Sequence, residues 1–254
     1  NYRREGQGEP LIIIHGLFGS SRNWKGLSKS FAEHYDVVSV DLRNHGESFH
    51  ASDMGYAVMA QDVLKLMQTL NISSAHILGH SMGGKVAMKL SHEHPECVIT
   101  LMVADIAPVT YQHDYDGMLD AVLRLDLNLI NSRKAADIAL CDDIPDQRIR
   151  LFLLQNLAFD GEAPHWNLNW IAVKHNMSLI IGFEPIDSWQ VNLPCLFIRG
   201  ELSDYVDDVN WTTVQQHFNA STLVTLAGAG HWLHAEQPRA FTRAILNFLS
   251  SRLN

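Results

Sequence analysis

Residues 79–84 read "GHSMGG", and the fold is decided by what stands on either side of them. Ahead lies the short apolar run "AHIL", which has the character of a strand; behind lies "KVAMKLSHEH", with the spacing of a helix. A serine flanked by glycines at a strand-to-helix junction, in the form G-x-S-x-G, suits a nucleophile that a sharp turn must thrust clear of the backbone. Side chains at Gly79 and Gly83 would clash with the neighbouring chain, so the glycines act as steric relief. The same junction aims backbone N–H groups and the positive end of the helix dipole at any oxyanion formed beside Ser81. A serine that merely capped a helix would need no glycine on both sides.

Working outward, short apolar runs alternate with amphipathic stretches through the first 110 residues, the pattern of βαβ units around a parallel sheet. "LIIIHG", "YDVVSVDL", "HILGHS" and "ITLMVADIAP" are continuously apolar, as strands buried on both faces should be. "YAVMAQDVLKLMQTL" has helical periodicity between them. The pattern resumes after residue 194 with the strands "CLFIRG" and "TLVTLAG" and the helix "PRAFTRAILNFLSSRL". Residues 111–187 differ: helix-like stretches and an aromatic segment, "HWNLNWIAV", occur there without a clear buried strand. A structureless loop of that length is improbable in a compact domain. The expectation is an α/β core over residues 1–110 and 188–254, with residues 111–187 forming a mostly helical insertion over one end of the sheet.

Composition narrows the function. The 254 residues are 46% hydrophobic and 19% charged, ordinary for one large globular domain. A formal net charge of -9 would repel a phosphate backbone, which argues against nucleic acid as a partner. Cys97, Cys141 and Cys195 are odd in number and widely spaced, so neither a disulfide framework nor a zinc site is expected. No run reaches transmembrane length and "NYRREGQGEP" has no signal-peptide core, from which a cytoplasmic location is expected. Fourteen histidines form no H-E-x-x-H or similar set, so no metal and no cofactor is expected. Monomer and homodimer both remain open.

A serine nucleophile needs three further parts. "HGLFGS" follows the first apolar run and offers the Leu17 N–H, which with the Met82 N–H makes a candidate oxyanion hole. His15, just before that glycine, is better suited to bonding loop backbone. The base should come last in the chain, and "GAGHWLHAEQP" supplies His231 after a flexible turn, with His234 a packing or surface residue. The acid has two candidates at strand ends, Asp105 in "VADIAPV" and Asp204 in "RGELSDYV".

With these parts assembled, the chain resembles the α/β-hydrolase superfamily over essentially its whole length. Within it, "RNHGES", "GHSMGGK" and "GHWLHAE" are similar to the YbfF-type bacterial esterases and their relatives, the abhydrolase-domain-eleven proteins. The resemblance implies hydrolysis of small acyl esters or thioesters, including acyl-CoA thioesters, and a small helical cap between the sixth and seventh strands. It also bears on the acid: most of the superfamily carries aspartate three residues past the glycine of "RGELSDYV", where this chain has Ser203, and the esterase group uses the position matching Asp105. Asp105 is the expected acid, with Asp204 able to share or replace the role. Asp41 and Arg43 match a family loop and are expected to brace it. Phe18, Trp166, Trp170, Trp189 and "SLIIGF" are candidates for an acyl pocket or for the cap's own core. C–C bond hydrolysis, perhydrolysis and a non-enzymatic receptor role are the rival functions.

Overall fold

The computed structural model describes residues 1–184, 186 and 188–251. Along the chain the first half runs β1 (Tyr2–Glu5), β2 (Glu9–Ile14), α1 (Lys25–Phe31), β3 (Tyr35–Val40), α2 (Tyr56–Thr69), β4 (Ala75–His80), α3 (Met82–Glu93) and β5 (Val98–Ala104). Beyond β5 it leaves the sheet through α4 (Asp116–Arg124), α5 (Arg133–Ala139), α6 (Gln147–Leu153), the two-residue strands β6 (Leu157–Ala158) and β7 (His165–Trp166), α7 (Trp170–His175) and α8 (Met177–Ile181). It returns with β8 (Cys195–Gly200), α9 (Asp208–His217), β9 (Ser221–Leu226), α10 (Leu233–Glu236) and α11 (Pro238–Ser250). Seven strands form the main sheet in the order β1-β3-β2-β4-β5-β8-β9. All its pairings are parallel except β1 with β3.

Alternation along the strands sorts their side chains into two cores. Leu11, Ile13, Val37, Leu78, Met102, Leu196 and Ile198 face α1 and α11. Ile12, Ile14, Val38, Val40, Ile77, Leu101, Val103 and Phe197 face α2 and α3, and the insertion's apolar side chains continue that layer. The period of two in a strand makes a doubly covered sheet demand apolar residues at every position. β3 and β4 are accordingly buried throughout.

Two features differ from expectation. The polar, mostly exposed "YRRE" is a strand, an antiparallel edge, and its exposure is why it lacks an apolar signature. The excursion expected between the sixth and seventh strands lies between the fifth and sixth strands of the main sheet in chain order, because among the described residues this sheet has seven strands. The expected end of the insertion at Asp187 lies outside the described residues. No helix among the described residues is long and apolar enough to cross a membrane.

Candidate active site

β4, β5, β8 and β9 are consecutive neighbours in the sheet and all run parallel. Their carboxyl ends therefore open on one edge, where sites in open α/β sheets form. Ser81 follows β4, Asp105 follows β5, Ser203 and Tyr205 follow β8, and His231 follows β9.

Ser81 has φ 51° and ψ −121°, and Asp105 has φ 53°. Side chains rarely adopt this left-handed region, and such strain persists only where the surroundings enforce it. Here the enforcement is a pair of hydrogen bonds to adjacent strands: Ser81 N–H donates to Ala104 O at 3.0 Å and Asp105 N–H to Ile198 O at 2.8 Å. The glycines work as the sequence suggested. A Cβ on Gly79 would sit 2.2 Å from Gly83 O, and one on Gly83 would sit 2.4 Å from both Ile14 O and His15 O.

The serine, histidine and one of the two aspartates meet. His231 Nε2 lies 3.0 Å from Ser81 Oγ and His231 Nδ1 lies 2.8 Å from Asp105 Oδ2. An ionised carboxylate can only accept, so Nδ1 carries the ring proton and Nε2 is left to accept from the serine hydroxyl. Asp105 is fully buried, and its other oxygen accepts from Gly200 N–H at 3.0 Å. Ser203 Oγ–H donates to Asp105 Oδ2. The serine three residues past Gly200, where most of the superfamily was expected to carry aspartate, thus bonds the candidate carboxylate that faces His231. Asp204 is exposed and has no partner among the described residues.

The loop after β2 sits beside the serine: a Cβ on Gly16 would fall 3.2 Å from Ser81 Cβ. No described residue accepts from the Leu17 or Met82 N–H. Two neutral imidazoles hold this loop. His15 Nδ1–H donates to Gly16 O at 2.8 Å while Nε2 accepts from Leu42 N–H at 3.0 Å. His45 Nδ1–H donates to Arg43 O at 3.0 Å while Nε2 accepts from Phe18 N–H at 3.2 Å. Protonation would cost each ring its acceptor. Burial, and after it the repulsion that His15 would exert if both rings were protonated, lowers His45 to about 3, and burial lowers His15 as well. Asp41 braces the same region as expected, accepting from Ser21 N–H at 2.7 Å and Glu47 N–H at 3.0 Å. Burial works to raise its pKa, but those N–H groups outweigh it and hold the carboxyl below its ordinary value. Arg43 pairs with Asp62 of α2 at 2.6 Å.

The alpha/beta hydrolase fold family matches residues 9–238. The chain belongs to the alpha/beta-hydrolase family. Esterase YbfF of Escherichia coli is 34% identical to it over 95% of this chain and 93% of the relative. The sn-1-specific diacylglycerol lipase ABHD11 of Mus musculus is 34% identical over 94% of this chain and 80% of the relative. A solved marine microorganism esterase superposes with a TM-score of 0.94 at 38% identity, covering 98% of each chain. This alpha/beta hydrolase is accordingly an enzyme of the esterase/lipase type.

Around this site of the hydrolase, His234 takes the packing role of the two offered for it: it is buried and stacks on Trp24 with ring centroids 4.6 Å apart. His80, given no role from sequence, donates from Nε2 to the His231 carbonyl at 2.9 Å. Tyr205 stacks on the His231 imidazole at 3.9 Å and 18°. Among the pocket candidates, Phe18 stacks on Trp170 at 5.4 Å and Trp166 meets Trp170 edge-on at 5.3 Å. Trp189 stacks on His92 at 4.0 Å, at the far end of α3 from Ser81. Cys195 is buried, which pushes its thiol up to about 12, and Cys97 and Cys141 are also free. Among the described residues no group of three or more His, Cys, Asp or Glu could hold a metal ion. Lys85, with no sequence role, is 1% exposed.

Proposed function

We propose that the hydrolase cleaves carboxylic esters by way of an acyl-enzyme on Ser81, with His231 as general base and acid and Asp105 as the carboxylate behind it. The observation that carries this reading is the continuous Ser81–His231–Asp105 contact at 3.0 and 2.8 Å. His231 Nε2 takes the hydroxyl proton as Ser81 Oγ attacks the acyl carbon, and the charge on the former carbonyl oxygen rests on the Leu17 and Met82 N–H groups. Collapse expels the alcohol or thiol, which takes the proton from His231. Water then attacks the acyl-enzyme by the same steps and frees Ser81. Asp105 fixes the tautomer and stabilises the imidazolium without taking the proton.

The relatives' activities, esterase and diacylglycerol lipase, favour oxygen esters with an apolar acyl group. Acyl-CoA thioesters fit the same chemistry. The insertion, residues 111–187 in the reading above, is the element we assign to acyl selection, with Phe18 and Trp170 near its boundary with the loop after β2. The rival C–C hydrolase and perhydrolase readings have no observation in their favour. The test is a chain-length series of p-nitrophenyl esters beside matching acyl-CoA thioesters, run on the wild type and on Ser81→Ala. Turnover of esters by the wild type and a loss of roughly 10⁴-fold or more in the variant are expected. Wild-type rates in Ser81→Ala would sink the reading.

A further inference from the structure

Lys85 lies in α3 one helical turn beyond Ser81, and its side chain is closed off from solvent. Nζ donates to Ile181 O at 3.0 Å and Gly182 O at 2.7 Å, where α8 ends and the chain leaves the insertion. The ammonium also lies 4.9 Å from the ring centroid of Tyr111, 5.5 Å from Phe183 and 5.7 Å from Tyr56. Among the described residues no carboxylate pairs with it; the neighbouring Lys89 takes Glu93 and Glu184. The titratable groups facing it are Tyr56 on α2 and Tyr111 and His113 on the segment entering the insertion, and none supplies negative charge.

A buried cation without a counter-ion is expensive, and carbonyl dipoles and aromatic faces offset only part of that. Burial accordingly lowers Lys85 to about 7. An unbranched apolar side chain would fill the same space without the cost, as replacements of buried ions by hydrophobic residues commonly show. Stability therefore gives no reason for a lysine here, and the reason must lie in what the ammonium holds.

It holds both roots of the insertion. Tyr111, on the incoming root, gives its N–H to the same Ile181 carbonyl at 3.0 Å. The Tyr111 hydroxyl accepts from Ala107 N–H at 2.8 Å and donates to Tyr205 O at 2.7 Å. Tyr205 is the residue stacked on His231. We propose that Lys85 is a positioning residue: its ammonium pins the incoming and outgoing roots of the insertion to α3 and, through Tyr111, keeps Tyr205 against the His231 imidazole. This rests on the reading of Ser81 and His231 as nucleophile and base.

The test compares Lys85→Met, Tyr111→Phe, the double variant and Ser81→Ala in full-length protein, by kcat and KM on a p-nitrophenyl ester and by urea unfolding at pH 6 and pH 10. Lys85→Met is expected to lose about 3- to 30-fold in kcat, the span for residues acting through others, while gaining stability at pH 6. The gain should shrink by pH 10. Below about 7 the lysine is charged in both folded and unfolded chains; between there and its ordinary 10.5 only the unfolded chain holds the proton, so wild-type stability rises across that window. Tyr111→Phe, which keeps the ring but breaks the link to Tyr205, should lower kcat similarly, and the double variant should lose less than the product of the two. Wild-type kcat in Lys85→Met overturns the proposal, as does full multiplication in the double variant. Should Lys85→Met fail to fold, wild-type kcat in Tyr111→Phe overturns it. An active Ser81→Ala indicts instead the nucleophile on which the proposal rests.

Discussion

Asp105 and Ser203 illustrate what a single side chain's place decides. The residues alone put Asp105 and Asp204 both at strand ends, and it was the family resemblance, not the local sequence, that made Asp105 the expected acid. The positive φ of Asp105 and its bond from Gly200 N–H turn it toward His231 across β5 and β8, and such long-range geometry is not encoded locally. Asp105→Asn keeps the shape but supports the wrong tautomer, so kcat should drop roughly 10⁴-fold, by analogy with the protease triad, whereas Asp204→Asn should stay near wild type. The reverse pattern in steady-state kinetics, at equal stability, would move the acid to Asp204. Removing the Ser203 hydroxyl takes a hydrogen bond from a buried carboxylate; bonds to charged groups contribute about 1.5–3 kcal/mol to stability, so Ser203→Ala should lose about that much by urea unfolding. Lys85 was illegible for a related reason. A lysine on an amphipathic helix reads as solvated, and only the packing of the insertion onto α3 buries it.

At the scale of the element, the strand–turn–helix around Ser81 was legible because its requirement is local. Glycine spacing, an apolar run before and helical spacing after are all present within about twenty residues. The same holds for the interior parallel strands, whose double burial leaves mostly apolar runs, whereas the edge strand β9 is only partly buried and reads STLVTL. Edge strand β1 and the small β6–β7 hairpin escaped because neither buries enough to leave a pattern. The turn makes a demanding forecast. In Gly83→Ala the new methyl would meet backbone oxygens of Ile14 and His15 at 2.4 Å, atoms of a central strand and its loop that cannot swing aside. A loss of about 3 kcal/mol or more is expected by urea unfolding, or failure to fold. Gly26→Ala, with nothing within 4 Å of the added carbon, is the control and should be neutral or better.

Across the whole molecule, the buried histidines set a pH limit on the fold. Burial, with the charges of neighbouring histidines, drives His80 well below its ordinary value, and burial followed by the charge of His231 takes His234 to about 4. With His15 and His45 they must fold neutral. Each folded value lies below the unfolded 6.5, so below 6.5 the unfolded chain binds the extra protons; their stabilisation is complete above that pH and is lost as pH falls through the folded values. The urea midpoint should therefore fall steadily from about pH 6.5 to about 4, and His234→Phe, which keeps a ring against Trp24, should flatten part of that slope. An unchanged slope would show that His234 does not bear this load. The central claim concerns Ser81 itself, and the most direct measurement is labelling with a fluorophosphonate followed by intact and peptide mass spectrometry. One adduct per chain, mapped to Ser81, lost in Ser81→Ala and slowed in His231→Ala, is the expected result; no adduct on the wild type, or an adduct that persists in Ser81→Ala, would contradict it.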